Sequence, residues 1–172
     1  MPKYKPIEKE IESIFYDQRK TPYGSIRNGY VYNFWSDDKN PQGLWRRTLI
    51  QEYSKDEPEW ETLIDFDKLS KEFGKKVMCR GGVEYLQNPN LYLIIMSFGG
   101  KDETFFAEWN LEKKDFVKNG FEPKTSDGKL LEGKFTDGVW IDQDTIISNF
   151  VLHKEDVTNS LYPNSLYIWK RG

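Results

Sequence analysis

The side chains that could do chemistry are few in this sequence, and their spacing assembles no catalytic centre. A hydrolytic triad needs a Ser on a Gly-x-Ser-x-Gly turn, an acid, and a His that takes the proton. Ser97 precedes Phe-Gly-Gly, but no Gly stands two residues before it. His153, the single histidine, lies in a polar segment that we predict to be an exposed loop. We therefore predict no catalytic residue.

The remaining reactive or ligating groups also favour structural roles. Cys79 is the only cysteine, which excludes a disulfide within the chain and does not suit a zinc cluster. Because Cys79 lies among strand residues, we predict a buried structural thiol. The carboxylates of Asp37-Asp38 and of Asp142 to Asp144 lack a metal-ligand pattern and are predicted to be turn residues. No metal site is predicted.

Two further patterns could bind anions, and neither has the required context. The pairs Gly81-Gly82 and Gly99-Gly100 are not set in a strand, GxGxxG and helix arrangement, so phosphate binding is not predicted. Arg46 and Arg47 are adjacent in a predicted strand and should point to opposite faces, which argues against one shared site. We predict no cofactor and no cofactor-binding residue.

Length and composition narrow the class of protein. One domain is expected for 172 residues, and the net charge of −3 argues against a dedicated nucleic-acid binder. Aromatic residues make up 16% of the chain although the mean hydropathy is −0.76, which suits strands with one buried and one wet face. No apolar run approaches membrane-spanning length, and the N-terminus lacks an apolar signal region, so a cytoplasmic protein is expected.

The residue periodicity predicts one helix followed by many short strands. Residues 6–20 should form a helix, since Ile7, Ile11, Ile14 and Phe15 fall on one face. This helix would pack on or cap the domain, or else bind a partner. Strands and turns follow, with one or two helical turns over 67–73 and a bulge or bend at Gly81-Gly82. The strands are predicted over 22–28, 30–35, 44–53, 60–66, 77–86, 91–98, 104–109, 115–117, 139–142, 145–150 and 165–170.

About ten short strands linked by tight turns predict an all-β fold, a partial β-propeller of about three antiparallel blades preceded by one N-terminal helix. Residues 119–138 are predicted to be a long surface connection. We divide a single propeller domain over 1–172 into four segments. These are the helix over 1–20, a first blade over 21–74, a second over 75–118, and the connection with a third blade over 119–172.

Several motifs together resemble one family. They are Tyr-Asn-Phe-Trp at 32–35, Gly-Leu-Trp-Arg-Arg-Thr at 43–48, the run from Pro58 to Asp67, Trp-Ile-Asp-Gln-Asp-Thr at 140–145, Ser-Leu-Tyr-Pro at 160–163 and Trp-Lys-Arg-Gly at 169–172. This set resembles the N-terminal propeller region of bacterial prolyl oligopeptidases, the serine peptidases (prolyl endopeptidases) that cut after proline. The resemblance extends from about residue 21 to the end.

The resemblance implies a gating role without catalysis. In that family a seven-bladed propeller caps the active site and restricts entry to short peptides, and an α/β-hydrolase domain follows it. The resemblance covers about three blades, so no triad residue can be assigned here. We expect a truncated, non-catalytic fragment, either one half of a split peptidase or the product of a vestigial gene. Its open blade faces should favour self-association or a complementing peptidase chain.

Two other function classes stay open at this point. A small β-sheet module could bind a peptide or protein ligand on its aromatic surface, by strand addition at a blade edge. The competing interpretation is that the aromatic rings form the core. A stand-alone enzyme is disfavoured by the inventory of reactive residues, and cleavage of a proline-containing peptide would overturn that interpretation. Neither nucleic acid nor membrane is expected as a partner.

Overall fold

A computed structural model describes residues 4–17, 19–122, 133–134, 137–151 and 153–171 of the chain. The helices are α1 (Tyr4–Phe15), α2 (Ile50–Tyr53) and α3 (Phe66–Phe73), with a 3-10 helix over Lys154–Asp156. The strands are β1 (Ser25–Arg27), β2 (Tyr30–Trp35), β3 (Leu44–Leu49), β4 (Glu61–Asp65), β5 (Val77–Glu84), β6 (Leu91–Phe98), β7 (Glu103–Asn110), β8 (Asp115–Phe116), β9 (Gly133–Lys134), β10 (Gly138–Asp142), β11 (Thr145–Ser148) and β12 (Tyr167–Lys170). No helix of the described ranges is long and apolar enough to cross a membrane.

The described strands form three antiparallel sheets, which confirms the predicted all-β class. The first sheet has the order β1-β2-β3-β4, the second β5-β6-β7-β8, and the third β10-β11-β12. The short strand β9 pairs with the end of β7 opposite to the one that β8 joins. The chain divides into two compact units, residues 1–72 and 73–172, and each is described by itself.

In the first unit, the N-terminal helix is shorter than predicted and its apolar face is uncovered. Helix α1 ends at Phe15 instead of near residue 20. Lys20 lies beyond this end and donates from Nζ to the carbonyl oxygens of Phe15 and Ser36. Ile7, Ile11 and Phe15 are more than half exposed. The periodicity therefore located the helix, whereas the predicted packing of its face is not found within this unit.

The strand predicted over 44–53 is wrong beyond residue 49, where α2 begins. The last pair of the β2–β3 ladder joins Tyr30 to Leu49, because β2 starts after a turn at Asn28 and Gly29. Both turn residues have positive φ. Residues 50–53 have no strand left to pair with, so their backbone coils into a helical turn anchored by the Ile50 N–H on the Gly29 carbonyl, at 3.2 Å.

The glycine that ends the turn between β2 and β3 is required by its surroundings. Gly43 has φ +96°, and a Cβ at this position would overlap the ring of Phe34. We expect Gly43→Ala to destabilise the first unit by about 2–3 kcal/mol, from left-handed strain plus overpacking. Urea unfolding followed by tryptophan fluorescence measures this loss.

Gly29 provides the matched control, since it has φ +80° but open space around its missing Cβ. Gly29→Ala should therefore lose only the backbone term, about 1 kcal/mol. Equal losses for the two variants would show that the Phe34 ring moves aside and that steric overlap does not matter.

The second unit has β6 at its centre, as the continuous apolar run predicted. Seven of the eight residues of β6 are buried, and so are six of the eight of β7, so both faces of this sheet are covered. One face carries a cluster of aromatic rings from Phe73, Phe98, Phe105 and Phe116. The predicted bulge is present, as a register shift between Cys79 and Gly81.

The other face of the second sheet packs against the third sheet. Leu93 and Phe106 of the second sheet share one buried cluster with Phe121, Ile146 and Phe150. Trp140 of β10 donates from Nε1 to the carbonyl of Val83 on β5, at 3.1 Å. The core of this unit is thus an aromatic-rich layer between two sheets.

The prediction of a surface connection over 119–138 is wrong at both of its described ends. Phe121 is 1% exposed, and Gly138 is buried where a Cβ would approach Leu93 to 3.0 Å. Residues 123–132 and 135–136 lie outside the described residues. The Gly- and Lys-rich composition concealed the buried ring of Phe121, because one aromatic residue hardly changes a local average.

Candidate functional site

The two residues considered for hydrolysis occupy opposite environments. Ser97 is fully buried in β6, and within the described part of the chain its hydroxyl has no hydrogen-bond partner. His153 is exposed, as predicted, and its backbone N–H donates to Asp156 Oδ2 at 2.7 Å. A nucleophile must be reachable by substrate, and the Ser97 hydroxyl is not.

Cys79 is half-buried at the β5 bulge, whereas the sequence predicted a buried thiol. Cys79 keeps Met96 of β6 as its register partner, but β5 lies at the edge of the described second sheet and has a neighbouring strand on one side only, so fewer side chains cover it. Burial still raises the pKa of the Cys79 thiol, despite a long contact from Sγ to the Gly81 carbonyl at 3.9 Å. The raised pKa disfavours the reactive thiolate.

Asp37 is a turn residue, as predicted, and it organises the turn between β2 and β3. Its Oδ1 accepts hydrogen bonds from the backbone N–H groups of Lys39 and Asn40, and Oδ2 accepts from Trp35 Nε1 at 2.9 Å. Burial raises the pKa of Asp37, but these hydrogen bonds to the charged form outweigh it and the net pKa is lowered.

This lowered pKa gives a pH-dependent prediction. A carboxylate with a depressed folded-state pKa stabilises the fold above its unfolded pKa of about 3.9, and the contribution is lost as the pH falls through the folded pKa. We expect Asp37→Asn to lose about 1–2 kcal/mol at pH 7 and a smaller amount at pH 3, which is below the unfolded pKa. Urea unfolding at the two pH values measures the difference. Asp38→Asn, one residue away and exposed, is the control. A loss of stability for Asp37→Asn that is equal at both pH values would contradict the prediction.

Arg46 and Arg47 do not form a joint anion site, because they contact different sets of residues. The Arg46 guanidinium lies between the rings of Trp35 and Trp60, 4.3 and 4.2 Å from their centroids. Burial lowers the pKa of Arg46 to about 10, although the charge of Asp37 opposes the shift. Arg47 instead pairs with Glu61, at 2.7 Å, and lies over the ring of Tyr30.

A polar node that the sequence did not predict joins the second and third sheets. Glu108 of β7 is 2% exposed, and both of its carboxylate oxygens accept from the Arg171 guanidinium, at 2.9 and 3.1 Å. Arg171 also donates from Nε to Asp144 Oδ1 and from NH2 to the Gln143 carbonyl. The same guanidinium lies 4.5 Å from the ring centroid of Phe121.

The electrostatics of this node favour a fixed ion pair. Hydrogen bonding to Glu108 raises the pKa of Arg171, and burial opposes this shift only in part. The Phe121 N–H donates a further hydrogen bond to Glu108 Oε2 at 3.0 Å. An acidic residue inside an apolar strand was the available sequence signal, since buried Glu is rare without a partner. The partner is 63 positions away and could not be identified from spacing.

Next to the node lies a cleft of about 530 Å³ in the second unit. Glu108 and Arg171 contribute to its wall, together with the lysines Lys113 and Lys118 and with Asp115. The charges of Glu108 and Arg171 neutralise each other, and the other charged residues of the described wall are exposed, so this wall offers no free buried charge to select a ligand. Within the described ranges, no group of three or more His, Cys, Asp and Glu side chains could hold a metal ion.

The third sheet has one covered face and one open face. In the β10-β11-β12 register, Trp140, Ile146 and Trp169 are partners and point toward the second sheet. The neighbouring register partners Val139, Ile147 and Ile168 therefore point the other way. We call these three residues the outer ladder. Val139 is 57% and Ile168 67% exposed, and Ile147 is half-buried.

Comparison with known proteins identifies the family to which this architecture belongs. Residues 2–156 match the family model described as prolyl oligopeptidase, N-terminal beta-propeller domain. A protein of Rickettsia prowazekii named uncharacterized peptidase RP174 is 74% identical over the whole chain, which corresponds to 24% of that protein. The uncharacterized peptidase y4nA of Sinorhizobium fredii is 39% identical over 85% of this chain and 19% of its own length.

Solved structures agree with these relatives. A post-proline cleaving enzyme from Rickettsia typhi is 76% identical and superposes with a TM-score of 0.94, over 100% of this chain and 25% of its own. Oligopeptidase B from Leishmania major, at 13% identity, shares the fold with a TM-score of 0.64 over 96% of this chain and 21% of its own. The chain thus spans between about a fifth and a quarter of the length of these proteins.

Proposed function

Because this chain belongs to the family of prolyl oligopeptidase N-terminal β-propeller domains, we propose that it serves as the substrate-gating part of a post-proline peptidase. The predicted family and the partial propeller are confirmed by the match over residues 2–156 and by the superposition on the R. typhi enzyme. One observation carries the proposal: the whole chain aligns with only a quarter of that enzyme. The catalytic α/β-hydrolase domain lies outside these 172 residues.

In this proposal the chain has no catalytic role. Its blades form the first, N-terminal part of the propeller ring that controls which peptides enter, and a hydrolase domain performs the cleavage. The remaining blades and the hydrolase come from a complementing chain or from further residues of the same polypeptide. A vestigial gene product that still folds is the competing case. We place the protein in the cytoplasm. The half-buried Cys79 thiol, whose pKa is raised, is compatible with this reducing compartment.

The alternative of a small peptide-binding module has less support. It required aromatic side chains on an exposed surface. Within the described residues, many of the rings instead lie in the core, among them Phe66, Phe105, Phe106, Phe121 and Trp109. Rings that hold the sheets together are not available to a ligand.

The test is an activity assay with separated and joined parts. A fluorogenic peptide with an internal proline is incubated with this chain, with the remainder of the R. typhi enzyme, and with a fusion of the two. We expect no cleavage by this chain, and cleavage by the fusion that approaches the rate of the intact R. typhi enzyme. The intact enzyme and a fusion whose nucleophilic serine is replaced by Ala are the controls.

Two results would contradict the proposal. Cleavage by this chain alone, at a rate that survives repeated purification, would show that it carries its own catalytic centre. An inactive fusion with a folded hydrolase would show that these blades cannot replace those of the relative. The latter result would favour the vestigial product.

A further inference from the structure

The first strand of the second sheet presents one arginine outside the regular ladder. In the β5–β6 register, Cys79 pairs with Met96 and Gly81 with Ile95, so Arg80 is the extra residue of the bulge. The Arg80 side chain is exposed. Bulges are frequent beside active sites, where they re-aim a side chain away from its regular direction. The bulge of β5 therefore marks Arg80 as a candidate contact residue.

Arg80 also differs from the other arginines of the described chain. Within the described residues, its guanidinium makes no hydrogen bond, ion pair or ring contact. A guanidinium is always charged, and its planar fork of N–H donors matches the two oxygens of a carboxylate, so an unpartnered one is available to an anionic ligand. The other five arginines all interact with a carboxylate, a ring or another group; they are Arg19, Arg27, Arg46, Arg47 and Arg171.

The charge around the bulge has one sign. The run from Lys75 to Val83 contains three cations and no Asp or Glu. On β6, the register partners beside the bulge are Met96 and Ile95, and both are apolar. No carboxylate at these positions of the neighbouring strand compensates Arg80. A surface with uncompensated positive charge attracts a negatively charged ligand.

The same segment has the main-chain groups that an extended peptide needs. Among the described strands β5 pairs with β6 only, so alternate main-chain groups of Met78 to Gly82 face away from the sheet. Open space surrounds the missing Cβ of Gly81, and a glycine in a strand permits close approach of another backbone. This stretch ends at Val83, whose carbonyl oxygen already accepts from Trp140 Nε1 at 3.1 Å. Its length of about five residues suits one short extended segment.

We propose that the bulge of β5 is a contact site for the peptide substrate and that Arg80 binds a carboxylate of that peptide. The peptide lies extended along Met78 to Gly82, and the guanidinium donates two parallel hydrogen bonds to the carboxylate. This inference rests on the proposed function, since it assumes that peptides pass the blades of this chain. It goes further by naming the residue that selects among them and the class selected, peptides with an acidic side chain or a free C-terminal carboxylate.

The test measures binding to the full chain directly, so that it does not depend on cleavage. The probes are three dye-labelled peptides of about ten residues with an internal proline. The first has one Glu and an amidated C-terminus, the second has Gln in its place, and the third has Gln and a free C-terminus. Fluorescence anisotropy at rising protein concentration gives the Kd of each peptide.

We expect a peptide with a carboxylate to bind about tenfold more tightly than the uncharged second peptide, because a hydrogen bond to a charged group has this effect. The advantage should shrink at high salt, since the site is exposed. A tighter first peptide would identify a side-chain carboxylate as the ligand, and a tighter third peptide would identify the C-terminus.

Two variants assign the preference to Arg80. Arg80→Gln should abolish the advantage of the carboxylate, and Arg80→Glu should reverse it, so that a peptide with Lys in place of Glu binds more tightly than the first peptide. A general folding defect cannot produce such a reversal. Arg19→Gln removes the same charge from an exposed arginine paired with Asp17 in the first unit, and it should bind like the unchanged chain. Circular dichroism confirms that the variants are folded.

Three results overturn the proposal. They are an equal Kd for all three peptides, a preference that persists in Arg80→Gln, and a preference that Arg19→Gln also abolishes. Equal Kd values together with aggregation of Arg80→Gln would show that the bulge and its charge only protect an edge strand. If the fusion described above is active while the three peptides bind equally, the gating function stands and only the role of Arg80 fails.

Discussion

Arg171→Ala is expected to destabilise the second unit by about 3–5 kcal/mol. The substitution leaves Glu108 as a buried carboxylate without its bidentate partner, and breaking a buried pair from one side has this cost. It also removes the link from β7 to the end of the third sheet. Urea unfolding at pH 7 measures the loss, and hydrogen exchange should locate it in β7 and β10 to β12.

The matched control is Lys170→Ala, which removes a neighbouring exposed cation and should change stability by no more than about 0.5 kcal/mol. The double variant with Glu108→Gln and Arg171→Met should recover most of the loss, because no charge remains buried and Gln can still accept from the Phe121 N–H. A double variant as unstable as Arg171→Ala would show that the guanidinium acts by packing on Phe121 and not by pairing with Glu108.

The second large effect is expected at Phe121, where Phe121→Ala should cost about 3–5 kcal/mol. The ring is 1% exposed and makes edge contacts with Trp140 and Trp169, 5.6 and 5.3 Å between centroids. Its removal opens a cavity between the second and third sheets. Thermal and urea unfolding should both report the loss, with reduced near-ultraviolet circular dichroism from the two indoles.

Leu86→Ala is the control, because that side chain is largely exposed in the same unit and its loss should stay within about 0.5 kcal/mol. A loss below about 1 kcal/mol for Phe121→Ala would mean that the connection after β8 contributes little to the core.

Local sequence patterns predicted most of the strands because the information needed is local. The alternation from Tyr30 to Trp35 located β2, and the apolar run from Leu91 to Phe98 located β6 with both faces covered. Adjacent positions in a strand point to opposite faces, which also separated Arg46 from Arg47 correctly. The predictions were wrong where the secondary structure of a segment depends on a neighbouring strand. The residues from Ile50 onward have no residue of β2 to pair with, and they form a helix instead of continuing β3.

Residue types and short spacings were enough to predict the all-β class, the family and the absence of a triad motif. Which side chains meet across long separations became known only from the folded structure. Glu108 and Arg171 lie 63 positions apart, and the open ladder of Val139, Ile147 and Ile168 appears only when the register of three strands is known. Residues so far apart in sequence meet only when the chain between them has folded, so no local pattern encodes their pairing.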